Sequence, residues 1–425
     1  MDFISNSEIQ VAEMLKTLGI SSVDELWSAI PLALRRPRPP SDDGMSEFEG
    51  LQMMEKLAAE NTILDYACYL GAGAYEHHVP AVVSSLTSRG EFLTSYTPYQ
   101  AEASQGLLQA MFEFQTAICA LTGMEVANAS VYDGANAMAE AALMALRLQK
   151  GREEIVLGEQ IHPHYRAVVE QYTRYQGVTF SQTLSSQTAA VIVQSPNYWG
   201  EIVDVRAILQ AAKRVGALVI QCANPLAYGL FETPGETGVD IAVGDAQPFG
   251  IPLQFGGPYV GYMACRKEYV RQLPGRIVGE TTDTEGKRGY VLTLQAREQH
   301  IRREKATSNI CTNQALAALA SWITMAWYGK KGIPALALTN YQRAAYLKQQ
   351  LASLPGITVN SNSSHFNEFT VQFAKPISNV IAHFEKHFIL PGVVDQDRLI
   401  VAVTETKSKE QLDRYVEVAR GLHTL

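Results

Sequence analysis

The chain is poor in cysteine, has no run of one charge and has no long apolar stretch, and each absence closes off a class of protein. Five cysteines (Cys68, Cys119, Cys222, Cys265 and Cys311) are scattered over 425 residues. None forms a Cys-x-x-Cys pair, and an odd, dispersed set does not make a disulfide framework. Reduced thiols are the expectation. Net charge is −8 and no basic run is present, which argues against a nucleic-acid-binding surface. No stretch is long and apolar enough to span a membrane. The N-terminus carries Asp2 and Glu8 and no apolar signal core, so a bacterial or archaeal cytoplasm is the expected location. What is present is a globular composition: 47% hydrophobic and 18% charged residues suit a folded chain rather than a disordered one. The length allows two domains with substantial cores.

The residue pattern divides the chain into an N-terminal helical arm (1–62), a large α/β domain (63–329) and a small α+β domain (330–425). In the arm, Ser5-x-x-Glu8, Ser22-x-x-Glu25 and Ser46-x-x-Glu49 each fit a capping box at a helix start. Prolines at 37, 39 and 40 predict an extended stretch between helices. Leu107, Met111, Phe114, Ile118 and Leu121 recur every three or four residues, predicting a helix over 100–122 that stops at Gly123. A second helix is expected over 135–149. Short runs of Ala, Val, Ile and Leu near 155–157, 190–193, 217–220, 241–243 and 261–264 alternate with helical segments near 163–175 and 204–215. Such runs suit strands buried on both faces of a mostly parallel sheet. Beyond residue 330 the order helix (334–353), strand (357–359), strand (369–373), helix (378–388), strand (399–403), helix (409–422) is expected, with Ser408-x-x-Gln411 capping the last.

Five words in the sequence are more specific: GAYEHHVP at 73–80, YTPYQAE at 96–102, QGLLQAMFEFQ at 105–115, NASVYDGA at 128–135 and REQHIRREKATSNICT at 297–312. Together they resemble the glycine decarboxylase P-protein family of the glycine cleavage system, from about residue 1 to the C-terminus. In that family the protein is either one long chain of two homologous halves or two separate subunits. A chain of 425 residues resembles subunit 1 of the split form. The resemblance implies a fold type I, pyridoxal-phosphate (PLP)-dependent transferase-like (aspartate-aminotransferase-like) α/β domain with the small α+β domain behind it. It implies an enzyme that decarboxylates glycine and passes the aminomethyl group to the lipoyl arm of the H-protein, with PLP as electron sink. It also implies a heterotetramer of two copies of each subunit.

Residues 240–259 run DIAVGDAQPFGIPLQFGGPY, a strand, a polar turn and a Gly-Pro loop. That layout is similar to the segment that offers the Schiff-base lysine in PLP enzymes, and the lysine falls at Gln247. An amide forms no imine, so PLP is expected on the partner subunit and this chain is expected to hold no catalytic residue of its own. Where fold type I enzymes place an aspartate against the pyridinium, this chain has Gln221 and Cys222. Gly134 in the turn Tyr132–Asn136 fits equally a phosphate cup at a helix start and a plain turn capped by Asp133. His162 follows a strand where a ring would stack on the cofactor; with Gly134 and Gln247 it marks a vestigial pocket. The resemblance implies that Tyr96, Tyr99, His300, Arg303 and Asn309 face the partner's active site; core tyrosines and a solvated basic face are the alternatives. His77-His78 and His162-Pro-His164 have no carboxylate or cysteine cluster beside them, so no metal is expected. The alternatives are a non-catalytic scaffold that stabilises its partner or docks the H-protein, and an independent PLP site using Lys287 or Lys305.

Overall fold

Serine side chains set the helices of the first sixty residues. In a computed structural model, which describes residues 6–35, 44–62, 65–158, 160–360 and 364–422, the chain divides into two units at residues 63/64. In the first unit, Ser46 and Glu49 close a capping box on the helix Glu47–Ala59, so two free amides at its start are satisfied. The helix Glu8–Leu18 is capped by Ser7 with Gln10; Ser5, the residue expected there, lies outside the described residues. The Ser22 signature makes no box. Ser22 bonds nothing with its side chain and starts a short 3-10 turn, Val23–Trp27, while the Glu25 carboxylate accepts the amide of Ser21 at 3.0 Å. Residues 36–40 of the proline stretch lie outside the described residues. Neither helix of this unit buries a side chain, and Ile9, Phe48 and Leu51 are exposed.

The second unit is organised on a seven-stranded sheet. Its strands are β1 (Val126–Ala127), β2 (Glu154–Leu157), β3 (Thr179–Ser181), β4 (Thr188–Gln194), β5 (Leu218–Cys222), β6 (Ile241–Asp245) and β7 (Gly261–Cys265). They lie in the order β1-β7-β6-β5-β4-β2-β3. The pairs from β3 to β6 are parallel, and β7 turns the edge antiparallel to β6 and β1. β5, β6 and β7 are buried at every residue, which is why they read as unbroken apolar runs rather than alternating ones. Parallel neighbours require crossovers, supplied by α3 (Pro163–Thr173) between β2 and β3 and α4 (Val205–Val215) between β4 and β5.

Helix α2 (Gly134–Leu148) packs on one sheet face, and seven of its residues from Ala137 to Ala145 are wholly buried. Its composition explains the fit: five of those seven are alanines, which let the helix approach the strands closely, and two are methionines that fill gaps. The expected helix over 100–122 begins five residues late. A 3-10 turn covers Ala101–Ala103, and α1 runs from Gln105 to Thr122. A hairpin of β8 (Ile277–Thr282) and β9 (Arg288–Thr293) packs against α1. The sequence reading missed it because its strands are half polar and end in Asp283–Gly286.

Helix α5 spans Ala315–Ala352, with a break at Gly329, φ 58°. Only its second part, 334–353, was expected. The first part buries Ala318, Leu319, Ser321, Thr324 and Met325, a face too rich in small and polar residues to read as amphipathic. The C-terminal sheet orders β10 (Ile357–Val359), β11 (Glu368–Phe373), β13 (Arg398–Ala402) and β12 (Val393–Asp395), all antiparallel. Helices α6 (Ile377–Glu385) and α7 (Lys409–Gly421) complete it, and Ser408 with Gln411 caps α7.

Candidate functional site

In an open parallel sheet, ligands bind beyond the carboxyl ends of the strands. Here those ends carry Cys222, Asp245 and Gln247, and the residues around them leave a cavity of about 30 Å³. That is room for about one or two waters. Several elements line it. β6 delivers Asp245, β11 delivers Glu368, and the segment 71–78 delivers Gly73 and Tyr75.

Gln247 is completely buried. Its Oε1 accepts the amide of Tyr75 at 3.0 Å, and its Nε2 donates to the carbonyls of Tyr75 (2.8 Å) and Ile251 (2.9 Å). The side chain thus pairs with the backbone of residue 75 as a strand would. An ammonium can donate to those carbonyls but cannot accept the Tyr75 N–H.

Asp245 occupies the start of α2. Its Oδ2 accepts the amide of Gly134 at 3.0 Å, and its Oδ1 accepts the amide of Gln247 at 2.9 Å. Asp133 caps the same helix through the amide of Asn136, at 2.7 Å. The helix start carries the chain's own carboxylates. A Cβ on Gly134 would overlap the Tyr165 hydroxyl and stand 2.9 Å from Asp245 N. Burial raises the Asp245 carboxyl to about 7 against its two amide bonds. Glu368 is raised to about 7 for the same reason, although it accepts bonds from Ala72 N and Tyr75 Oη. Two buried amides, Asn224 Nδ2 and Asn367 Nδ2, have no protein partner, and both residues line the cavity.

His162 caps α3. Its Nδ1 accepts the amide of His164 at 3.1 Å, which leaves the proton on Nε2 to donate to Ala72 O at 2.7 Å. Burial lowers its pKa, favouring the neutral ring. The Tyr165 and Tyr198 rings stand 5.0 and 5.1 Å away, and a Cβ on Gly73 would come within 3.2 Å of the imidazole. The ring is enclosed by protein. Of the two β5 residues expected near a cofactor, Cys222 faces this cavity and Gln221 lines another, across the sheet.

PLP does not fit these residues. The imine-forming lysine is absent, a carboxylate sits where a phosphate would take the helix amides, no acid stands on β5 for a pyridinium, and the cavity is too small. Among the described residues, no three His, Cys, Asp or Glu side chains form a metal cluster.

The second group of expected residues lies on a different surface. Tyr96 and Tyr99 are exposed. The Tyr99 ring packs on His300 at 5.4 Å, with the Arg276 guanidinium 5.7 Å from its centroid. Arg276 is the organiser that the sequence reading missed. It is buried and donates to Asn313 Oδ1 (3.1 Å), Cys311 O (3.0 Å) and Thr97 Oγ1 (3.3 Å). It also stands 3.9 Å from the Glu298 carboxylate. One side chain therefore ties the 96–99 loop to the 298–313 segment. Arg303 and Asn309 are exposed on that segment, and Arg303 has φ 55°. Tyr99 and His300 are brought together, whereas Arg303 and Asn309 make no side-chain bond among the described residues. No turn or cap signature marks Arg276, so only three-dimensional placement finds it.

Comparison with known proteins agrees with this architecture. The family model described as "Glycine cleavage system P-protein" matches residues 1–419. A protein of Protochlamydia amoebophila, named probable glycine dehydrogenase (decarboxylating) subunit 1, is 56% identical over 99% of this chain and 100% of its own length. The crystal structure of a glycine decarboxylase (P-protein) of the glycine cleavage system in inhibitor-bound form superposes with a TM-score of 0.92 at 39% identity. It covers 99% of this chain and 100% of that one. A C-DES variant with glycine covalently linked to its PLP cofactor matches at TM-score 0.58 and 16% identity, over 80% of this chain and 93% of that one; it shares the fold type I architecture. The chain belongs to the glycine cleavage system P-protein family.

Proposed function

We propose that this chain is subunit 1 of a two-subunit glycine decarboxylase, glycine dehydrogenase (decarboxylating), and that PLP is held by the lysine of subunit 2. The pair decarboxylates glycine and transfers the aminomethyl group to the lipoyl group of the H-protein. We place it in the cytoplasm, as a heterotetramer with two copies of each subunit. The observation that carries this reading is Gln247. Its amide is fully engaged with the backbone of Tyr75 and Ile251, in a pocket whose phosphate position is taken by Asp245. A chain of this family that has filled its own cofactor pocket acts through a partner's.

The contribution of subunit 1 is then the surface held by Arg276. Tyr96, Tyr99, His300, Arg303 and Asn309 are exposed or half-exposed polar and aromatic groups on rigidly tied backbone, suited to reach across an interface. The exposed apolar side chains of the arm (Ile9, Phe48, Leu51) are of the kind that partner contacts cover.

The test is to express the chain alone and with the lysine-bearing candidate, add PLP, reduce with borohydride and locate the pyridoxyl group. Label on the partner alone, with glycine-dependent CO2 release only from the mixture, is the expected result. Label on this chain would overturn the proposal. An unchanged rate after His300→Ala in an intact complex would mean a scaffold instead.

A further inference from the structure

A second cavity, of about 330 Å³, opens beside the 294–307 segment, lined by Arg271, Leu294, Arg297, Arg302, Lys305 and Thr307. Four of these carry a fixed positive charge, and no carboxylate lines it. Among the described residues, none of the four makes an ion pair. Glu298, in the same segment, is directed to Arg276 and His300 instead. Arg297 spends its terminal nitrogens on the carbonyls of Leu273 and Gly275, which fixes it in the wall. Arg302 is held by one bond from Nε to Ala296 O, leaving its outer nitrogens free. Arg271 and Lys305 make no hydrogen bond among the described residues.

Four cations share this lining with no acid among them, although in a chain of net charge −8 carboxylates are plentiful elsewhere. The backbone is also forced here. Leu294 and Arg303, neither of them glycine, hold φ of 54° and 55°, and such strain gathers at sites where ligands are gripped.

We propose that this cavity binds a phosphate group, as the free ion or as the head of a small phosphate ester. A lone carboxylate offers one negative charge and occupies one arginine fork. The guanidinium groups of Arg271 and Arg302, the Lys305 ammonium and the Thr307 hydroxyl, with the fixed charge of Arg297 in the wall, exceed that and match the charge and several acceptor oxygens of a phosphate. The cavity is distinct from the small pocket at the strand ends, and the inference does not depend on the decarboxylase reading.

The test titrates the full-length chain with inorganic phosphate and with phosphoserine in chloride buffer, by calorimetry. Saturable binding is expected, weakened at least tenfold by Arg271→Gln combined with Lys305→Gln. Both side chains are exposed, so these changes leave the fold intact. The control Lys213→Gln with Arg214→Gln, in the last turn of α4, keeps wild-type affinity. Tighter binding of phosphoserine marks an ester as the ligand, and tighter binding of inorganic phosphate marks the free ion. Absence of saturable binding, equal affinity in the double variant, or equal weakening in the control would overturn the proposal.

Discussion

The strand-end pocket and the 294–313 segment start from the same material, polar side chains placed by a rigid sheet, and resolve it in opposite ways. In the pocket the chain answers most of its own polar groups: Gln247 binds backbone, Asp245 takes a helix amide, and His162 is spent on Ala72 and His164, while Asn224 Nδ2 and Asn367 Nδ2 are left without a protein partner. On and beside the segment the chain leaves groups unanswered: Lys305 and the neighbouring Arg271 have no ion pair among the described residues, and Tyr96 and Tyr99, on the loop tied to it, face outward. The contrast separates structure from function. Buried polar groups that are fully paired hold a fold together, whereas unpaired ones at a surface await a ligand or a partner.

The strongest way to break this contrast is Gln247→Lys. If the pocket were a cofactor site lacking one residue, the lysine would restore imine formation. The geometry predicts the reverse, because the ammonium is buried and the Tyr75 amide loses its acceptor. We expect a loss of about 4 kcal/mol in urea unfolding and no imine absorption band with PLP. A band in a stable variant would sink the idea that the pocket is closed.

The second prediction concerns pH. The folded Glu368 carboxyl holds its proton up to about pH 7, while the unfolded one releases it near 4.5. Between these values the folded state binds more protons, so stability falls as pH rises through the window. The contribution is about 3 kcal/mol, present below the window and lost above it. Glu368→Gln should flatten the fall, since a neutral amide can still accept from Ala72 N and face Tyr75 Oη. Urea midpoints at pH 5 and pH 8 measure it; equal slopes in the two proteins would count against burial as the cause.

The parts legible from the sequence were those in which local pattern and tertiary role coincide. β5, β6 and β7 are buried on both faces and read as apolar runs; α2 starts at an Asp-Gly turn; Ser46 and Ser408 cap with partners three residues on. What escaped depends on distant residues. The β8–β9 hairpin looks polar because one side packs on α1 and the other faces solvent. The first part of α5 is invisible in the sequence because alanine, serine and threonine become a core face only when α1 and the turn Ala246–Gly250 press on them. Asp245 sits two residues before Gln247 and gave no signal, since its partner Gly134 is 111 residues away. Arg276 depends on acceptors at 97, 311 and 313.

Arg276 offers a third, smaller test. Arg276→Lys keeps the charge but loses the planar fork that reaches three acceptors. A stability loss of about 2 kcal/mol is expected, together with a lower rate in the assembled enzyme, because the 96–99 loop and the 298–313 segment come apart. Full activity in a destabilised variant would show that the tie serves folding only.

The smallest structural effect should accompany a clear functional one. Tyr96 is 77% exposed and Tyr99 53%, so truncating either removes little buried area. Tyr96→Ala and Tyr99→Ala are each predicted to change unfolding free energy by no more than about 0.5 kcal/mol, with Tyr99 the larger because its ring covers His300 and Arg276. If the outward face belongs to the proposed interface, the same substitutions weaken assembly with the proposed partner subunit, or lower the glycine-dependent rate of the mixture, by about tenfold. Tyr175 is a control, an aromatic 84% exposed on the far side of the α3 crossover from these loops in sequence. Tyr175→Ala should match the other two in stability and leave assembly untouched. Were all three equally silent in assembly, exposure alone would explain the tyrosines, and the distinction between a sealed region and an expectant one would have to rest on the charged groups.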